Sequence, residues 1–206
     1  YKFVQKARDA NFVNEGPLTA EFEKQIANLV GAKYAVATTS GTAAIFLALK
    51  ALGIGQGDEV IIPDLTFIAT ANAVELSGAK PVLVDVNPVD LAISADAIKK
   101  AITSKTKAIV PVHVTGRGAD MAAILELTKK HDLSVVEDAA EALTSKQGNQ
   151  YLGTFGDFGC FSFSANKTIS TGQGGMIVTN NDEIFAKLRP LKDQGRPTRG
   201  TGGDDL

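Results

Sequence analysis

The sequence holds 206 residues, 44% of them hydrophobic and 21% charged, with a formal net charge of -2. That is chain enough for one sizeable core, and the near-neutral balance argues against nonspecific nucleic-acid binding, which needs a basic surface. No apolar run reaches the length of a membrane span, so no membrane association is expected; the single cysteine, Cys160, allows no internal disulfide and suits a reducing, cytoplasmic setting.

Residues 1–11 read as a short helix leading into the domain, ahead of Phe12 and Val13. Thr19 is expected to cap a helix over 20–30 whose apolar stripe is Phe22, Ile26, Leu29 and Val30, with Gly31 as its stop. Strand and helix signals then alternate. A strand over 34–38 precedes an Ala- and Leu-rich helix over 42–52, which Gly53, Gly55 and Gly57 end. A strand over 59–63 leads to a helix over 66–77 that sets Phe67, Ala71 and Val74 on one face. A third strand covers 81–86, Ser94 caps a helix reaching about residue 102, and a fourth strand covers 108–112. A helix over 119–131 and a strand over 133–136 follow, with Asp138 just beyond it. The last strands cover 158–163 and 176–179, and a final helix covers 182–192. His113 reads as a packed strand-end residue and His131 as an exposed helix end.

Seven apolar strands separated by helices predict an α/β fold: a three-layer α/β/α sandwich around a mostly parallel seven-stranded sheet. Ligands of such sheets sit beyond the carboxyl ends of the strands, and three segments there carry polar chemistry.

Thr38-Thr39-Ser40-Gly41-Thr42 follows a strand and opens a helix. Free N–H groups and the positive end of the helix suit a phosphate, although a plain cap by Ser40 or Thr42 explains the same residues. Asp138 lies just past the end of a buried strand, where a carboxylate is costly without a partner; a protonated ring nitrogen is one partner and the next turn's N–H groups are another. Lys167 follows the aromatic stretch Phe161-Ser162-Phe163 and precedes the glycine-rich run 171–175. An amine beside buried aromatic structure can attack an aldehyde, whereas a lone lysine at a flexible turn is more commonly a surface residue. Phosphate, basic ring nitrogen and aldehyde belong together in one ligand, pyridoxal 5'-phosphate.

Thr39-Ser40-Gly41-Thr42-Ala43-Ala44, Gly55-Gln56-Gly57-Asp58-Glu59-Val60-Ile61-Ile62-Pro63, Glu137-Asp138-Ala139-Ala140-Glu141 and Ser162-Phe163-Ser164-Ala165-Asn166-Lys167 together resemble the DegT/StrS family. These are fold-type I aminotransferases of nucleotide-linked sugars. The resemblance implies that Lys167 carries the cofactor as a Schiff base and shuttles protons, and that Asp138 pairs with the ring nitrogen. It implies further that Ser40, Gly41, Thr42 and Ser162 hold the phosphate, that Glu141 lies near the ring hydroxyl, and that Asn166 lies beside the cofactor. Phe67 is expected either to cover one ring face or to sit in the core. No metal site is expected.

Glu141 resembles the perosamine-synthase subgroup, which implies a nucleotide-linked 4-keto-6-deoxy hexose as substrate, with glutamate as the amino donor. Thr115 stands where the family usually has Tyr, and Gln173 where it has Glu. The alternatives are a sugar dehydratase of the same family, whose members replace the lysine by His, and a non-catalytic protein that keeps the fold. The resemblance also implies that residues 1–206 are the cofactor-binding large domain, that the family's small C-terminal domain lies outside this chain, and that the chain forms a homodimer. Within the chain, the segment from Gly148 to Phe158 holds Tyr151, Leu152 and Phe155 among glycines and is expected to pack against a partner subunit rather than its own sheet.

Overall fold

The structure is a computed structural model that describes residues 2–9 and 16–196; Phe12, Val13 and the stretch from 197 to Leu206 lie outside the described residues. The expected leading helix is α1 (Lys2–Asp9), which buries none of its residues. The next helix, α2 (Pro17–Val30), opens three residues before the expected start, with Gly16 rather than Thr19 at its cap. Proline's fixed φ suits the first turn, and the N–H it lacks has no partner there in any helix. The buried face of α2 is Glu23, Ile26, Ala27 and Val30, and Leu29 turns outward at 42% exposure. A carboxylate displaces an expected leucine from the core because it is fully engaged. One oxygen of Glu23 accepts the Ala37 N–H at 2.9 Å, and both oxygens accept from the Arg189 guanidinium at 3.1 and 3.3 Å.

The alternation then runs as expected in type and order. β1 (Tyr34–Thr38), α3 (Gly41–Ala51), β2 (Glu59–Pro63), α4 (Ala69–Ser77), β3 (Lys80–Val84), α5 (Ala95–Ala101) and β4 (Thr106–Ile109) form the first half. α6 (Met121–His131), β5 (Ser134–Asp138), a small hairpin of β6 (Lys146–Gln147) and β7 (Gln150–Tyr151), β8 (Phe158–Ser162), β9 (Gly175–Thr179) and α7 (Asp182–Lys192) form the second. α4 starts at Ala69 instead of Thr66, so Phe67 precedes the helix. β5 extends to Asp138, whose Cα pairs with Cys160 of β8. The hairpin was not expected, although its two-residue Gly148-Asn149 connection is a turn signal.

The seven main strands lie in the order β1-β9-β8-β5-β4-β2-β3. All pairs are parallel except those of β9, which runs antiparallel to both β1 and β8. Strand alternation divides the side chains between two faces. Val60, Ile62, Val136, Phe158 and Ile177 pack with α3, α4 and α7 on one face. On the other, Ile61, Ile109 and Val135 pack with α5 and α6, while Ala35, Phe161 and Val178 pack with α2. This is the expected three-layer sandwich. No helix among the described residues is long and apolar enough to cross a membrane.

The segment from Gly148 to Phe158 overturns the expectation that it packs on a partner: it folds back on its own sheet. Leu152 and Phe158 are buried in the core, and Tyr151 and Phe155 pack against it. The cause is a carboxylate that the sequence pattern did not single out. Glu137, fully buried on β5, accepts the N–H groups of Gly153 (2.8 Å), Phe155 (2.6 Å) and Gly156 (2.7 Å), and pairs with His113 Nε2 at 2.9 Å. Because His113 Nδ1 accepts the Ala119 N–H at 3.2 Å, Nε2 carries the ring proton and donates it to Glu137. Four donors offset the desolvation of one buried anion and staple the turn to β5. The turn lies so close that a side chain at Gly159 would collide with the Gly153 carbonyl.

Candidate active site

β1, β2, β5 and β8 end at one edge of the sheet, and antiparallel β9 begins there, with Gly175 paired to both Thr38 and Ser162. A cleft of about 310 Å³ opens at this edge. Ser40, Gly41, Thr42, Phe67, Asp138, Glu141, Ser162, Asn166 and Lys167, the nine residues expected from the sequence, all line it.

The α3 end supplies one wall. Ser40 caps the helix, its hydroxyl accepting the Ala43 N–H at 3.1 Å, which leaves the N–H groups of Gly41 and Thr42 as the first-turn donors that a helix cannot satisfy itself. Gly41 lies so close to the end of β8 that a Cβ on it would stand 2.9 Å from Ser162 Cβ. The Ser162 hydroxyl and the α3 donors therefore face one small space, which suits a phosphate.

Asp138 forms the floor. It is only 6% exposed. Its Oδ2 accepts the Thr70 hydroxyl at 2.7 Å and its Oδ1 accepts the Ala140 N–H at 3.1 Å. Burial pushes the carboxyl above its ordinary value; the Thr70 hydroxyl, then the Ala140 N–H, then the fields of His113 and Lys167 pull it back. Each oxygen keeps acceptor capacity toward the cleft, which suits a cationic donor such as a protonated ring nitrogen.

Lys167 rises from the loop after β8. That loop is closed at its neck by Phe163, whose N–H donates to Gly174 O at 2.8 Å and whose carbonyl accepts the Thr171 N–H at 3.0 Å. The Lys167 side chain is largely enclosed, and Nζ donates to Glu141 Oε1 at 3.2 Å. Glu141 Oε2 accepts the Thr115 N–H at 2.8 Å. This N–H, followed by Lys167, holds the Glu141 carboxyl below its ordinary value against partial burial. Thr115 is held at φ 52, a strained backbone for a β-branched residue.

Phe67 is 73% exposed and lines the cleft, so the core alternative for it is set aside. The sequence pattern missed Thr70, Val112 and Val114 in this lining or its support. Thr70 carried no motif signal, and only tertiary folding brings it to Asp138. His113 is fully buried beneath the site and His131 is exposed at the end of α6, both as expected. Among the described residues, no His, Cys, Asp and Glu cluster could hold a metal ion.

The profile of the DegT/DnrJ/EryC1/StrS aminotransferase family matches residues 1–203. The chain is 47% identical over 194 residues to a GDP-perosamine synthase of Caulobacter vibrioides, covering 94% of this chain and 52% of that protein. It is 48% identical over 190 residues to a UDP-N-acetyl-3-dehydro-alpha-D-glucosamine 3-aminotransferase of Acidithiobacillus ferrooxidans, covering 91% and 51%. The structure of DesI with its TDP-sugar product superposes with a TM-score of 0.91 at 35% identity, over 95% of this chain and 50% of that one. NtdA of Bacillus subtilis with bound cofactor PMP superposes with a TM-score of 0.85 at 37% identity, over 91% and 42%. The chain spans about half the length of the curated relatives it matches.

Proposed function

The chain belongs to the DegT/DnrJ/EryC1/StrS aminotransferase family, and we propose that it is the cofactor-binding large domain of an enzyme that aminates a keto sugar carried on a nucleotide, using pyridoxal 5'-phosphate. One observation carries this reading: a buried carboxylate, an enclosed lysine and open helix-end donors surround a single cleft.

Bound in that cleft, pyridoxal phosphate supplies an electron sink for the carbon that gains or loses a proton. The rest falls to the chain. The Gly41 and Thr42 N–H groups and the hydroxyls of Ser40 and Ser162 grip the phosphate. Asp138 holds a proton at the ring nitrogen. Lys167 Nζ would hold the aldehyde end of the group, with loss of water, and as a free amine would move protons at the substrate carbon. Glu141 holds Lys167 Nζ by a hydrogen bond at 3.2 Å and would lie near the ring hydroxyl; Asn166 would border the cofactor, and Phe67 would cover one ring face.

For the sugar, the finer reading is a 4-keto-6-deoxy hexose with glutamate as donor, supported by Glu141 and the GDP-perosamine synthase relatives. The 48% identical relative named for a UDP-linked 3-dehydro sugar supports a second reading, a 3-keto hexosamine. Mass spectrometry of sugar nucleotides incubated with the chain, glutamate and cofactor separates them. Amination of the GDP-linked 4-keto sugar over the UDP-linked 3-keto sugar is expected, and the reverse preference sinks the finer reading. Conversion of neither, with no spectral response of bound cofactor to glutamate, sinks both.

We also propose a homodimer with the cleft near the subunit boundary. Residues 148–158 lend the dimer no support, since Glu137 staples that segment to its own sheet. Support comes instead from the cleft rim, where Leu65, Phe67 and Ile68 together leave apolar surface open to solvent. Light scattering over a dilution series is expected to report a dimer; a monomer throughout, with cofactor retained, overturns this.

A further inference from the structure

We infer that Thr70 is a positioning residue: its hydroxyl, backed by that of Thr66, holds the Asp138 carboxylate as an anion turned into the cleft. Thr70 is fully buried at the start of α4, and Oγ1 donates to Asp138 Oδ2 at 2.7 Å across 68 residues of sequence. It is the only side-chain donor among the described hydrogen bonds to that carboxylate; the other bond, from the Ala140 N–H, is local. Thr66 Oγ1, on the cleft wall, lies 2.9 Å from Thr70 Oγ1. Because Thr70 spends its one proton on Asp138, it can only accept from Thr66, whose single hydroxyl proton has Thr70 Oγ1 at 2.9 Å and the Phe67 carbonyl at 3.3 Å as acceptors; donation to Thr70 strengthens the final bond.

Two tendencies meet at Asp138. Burial favours the neutral acid, and the Thr70 hydroxyl is the largest influence opposing it. The other groups facing this carboxylate are His113 and Lys167, whose fields also favour the anion, and the Cys160 thiol, which burial keeps protonated. A protonated Asp138 offers a neutral acceptor and a hydroxyl where a ring nitrogen needs a negative charge. Thr70 thus sets the lowest pH at which the site can hold its cofactor. That consequence rests on the proposed function; the role of Thr70 toward Asp138 does not.

The test compares Thr70→Val, which keeps the shape and loses the hydroxyl, with Thr70→Ser, which restores it. Melting of the cofactor-free chain is followed from about pH 8 down to about pH 4. A carboxyl raised by folding contributes stability that is present below its unfolded value and lost as pH rises through its folded value. Thr70→Val raises the folded value further. Its Tm is therefore expected to fall about 5 °C below wild type near neutrality and to converge on it as pH drops. Thr70→Ser should track wild type throughout. A packing defect alone gives the same deficit at every pH, and that result, or a Thr70→Ser curve displaced as far as Thr70→Val, overturns the inference. If the valine variant does not fold, Thr70→Ala must show the same convergence. With pyridoxal phosphate as probe, Thr70→Val is expected to release it at a pH about one unit higher, about tenfold weaker retention at the wild-type midpoint. A wild-type chain that retains no cofactor at any pH defeats the proposed function, while the melting curves still decide the role of Thr70.

Discussion

Lys167→Ala is expected to leave a folded chain that holds pyridoxal phosphate only reversibly and transfers amino groups about 10⁴-fold more slowly or not at all. The fold should survive, because the substitution removes only the Nζ hydrogen bond to the partly exposed Glu141, a pair worth about 1 kcal/mol or less. The chemistry should not survive, because no other lysine among the described residues lines the cleft. Lys146 lies on the β6–β7 hairpin over the Tyr151 ring, and Lys192 ends α7. Borohydride reduction of the loaded wild-type chain, followed by peptide mapping, should fix the cofactor to Lys167. A label on Lys146 or Lys192, or an undiminished yield in Lys167→Ala, would sink the assignment.

Asp138→Asn should be the second large loss, about 10²- to 10³-fold in rate with the fold retained. Asparagine keeps the size of the side chain and an oxygen for the Thr70 hydroxyl, so the floor of the cleft stays packed. It cannot supply the negative charge that favours a protonated ring nitrogen, and a neutral ring draws electrons poorly. Asp138→Ala should lose at least as much activity and, in addition, leave the buried Thr70 hydroxyl without its acceptor. Single-turnover kinetics on the two variants provide the measurement. Wild-type rates in Asp138→Asn would refute the role.

The layout of the sheet and the three polar segments at its carboxyl edge could be read from the sequence because both follow local rules, whereas Phe67, Glu141, Asn166 and the phosphate role of Ser162 came from the family resemblance. Short apolar runs bounded by Gly, Pro and charge mark the strands, and alternation with helices requires parallel pairing. Strand C-termini then gather Ser40, Asp138, Ser162 and Lys167 without further information. Element starts were less readable. Thr19 looks like a cap and Thr66 like a helix start, yet Pro17 starts α2 earlier and residues 65–67 line the cleft instead of winding into α4. What the pattern could not convey was pairing between distant polar groups. Glu137 with His113, Glu23 with Arg189 and Asp138 with Thr70 each join segments far apart in the chain. For the same reason the apolar residues of 148–158 were recognised as packed but assigned the wrong partner: the staple that seats them is a single buried carboxylate.

The position of β1 at the sheet edge beside β9 has a consequence for how the chain is made. Among the described residues β1 pairs only with β9, Tyr34 opposite Thr179, so this strand must wait until the strands between them have been synthesised. Pairings so remote in sequence form late and slowly. While it waits, β1 is an open edge able to recruit other nascent chains. The Glu23 carboxylate, bonded to the Ala37 N–H from a helix synthesised immediately before, occupies part of one side of that edge at once. Its second anchor, Arg189, arrives only with α7, after β9. A single acidic side chain thus covers a donor on the outer side of β1, the side that stays an edge after β9 has docked, and ties that side to α7.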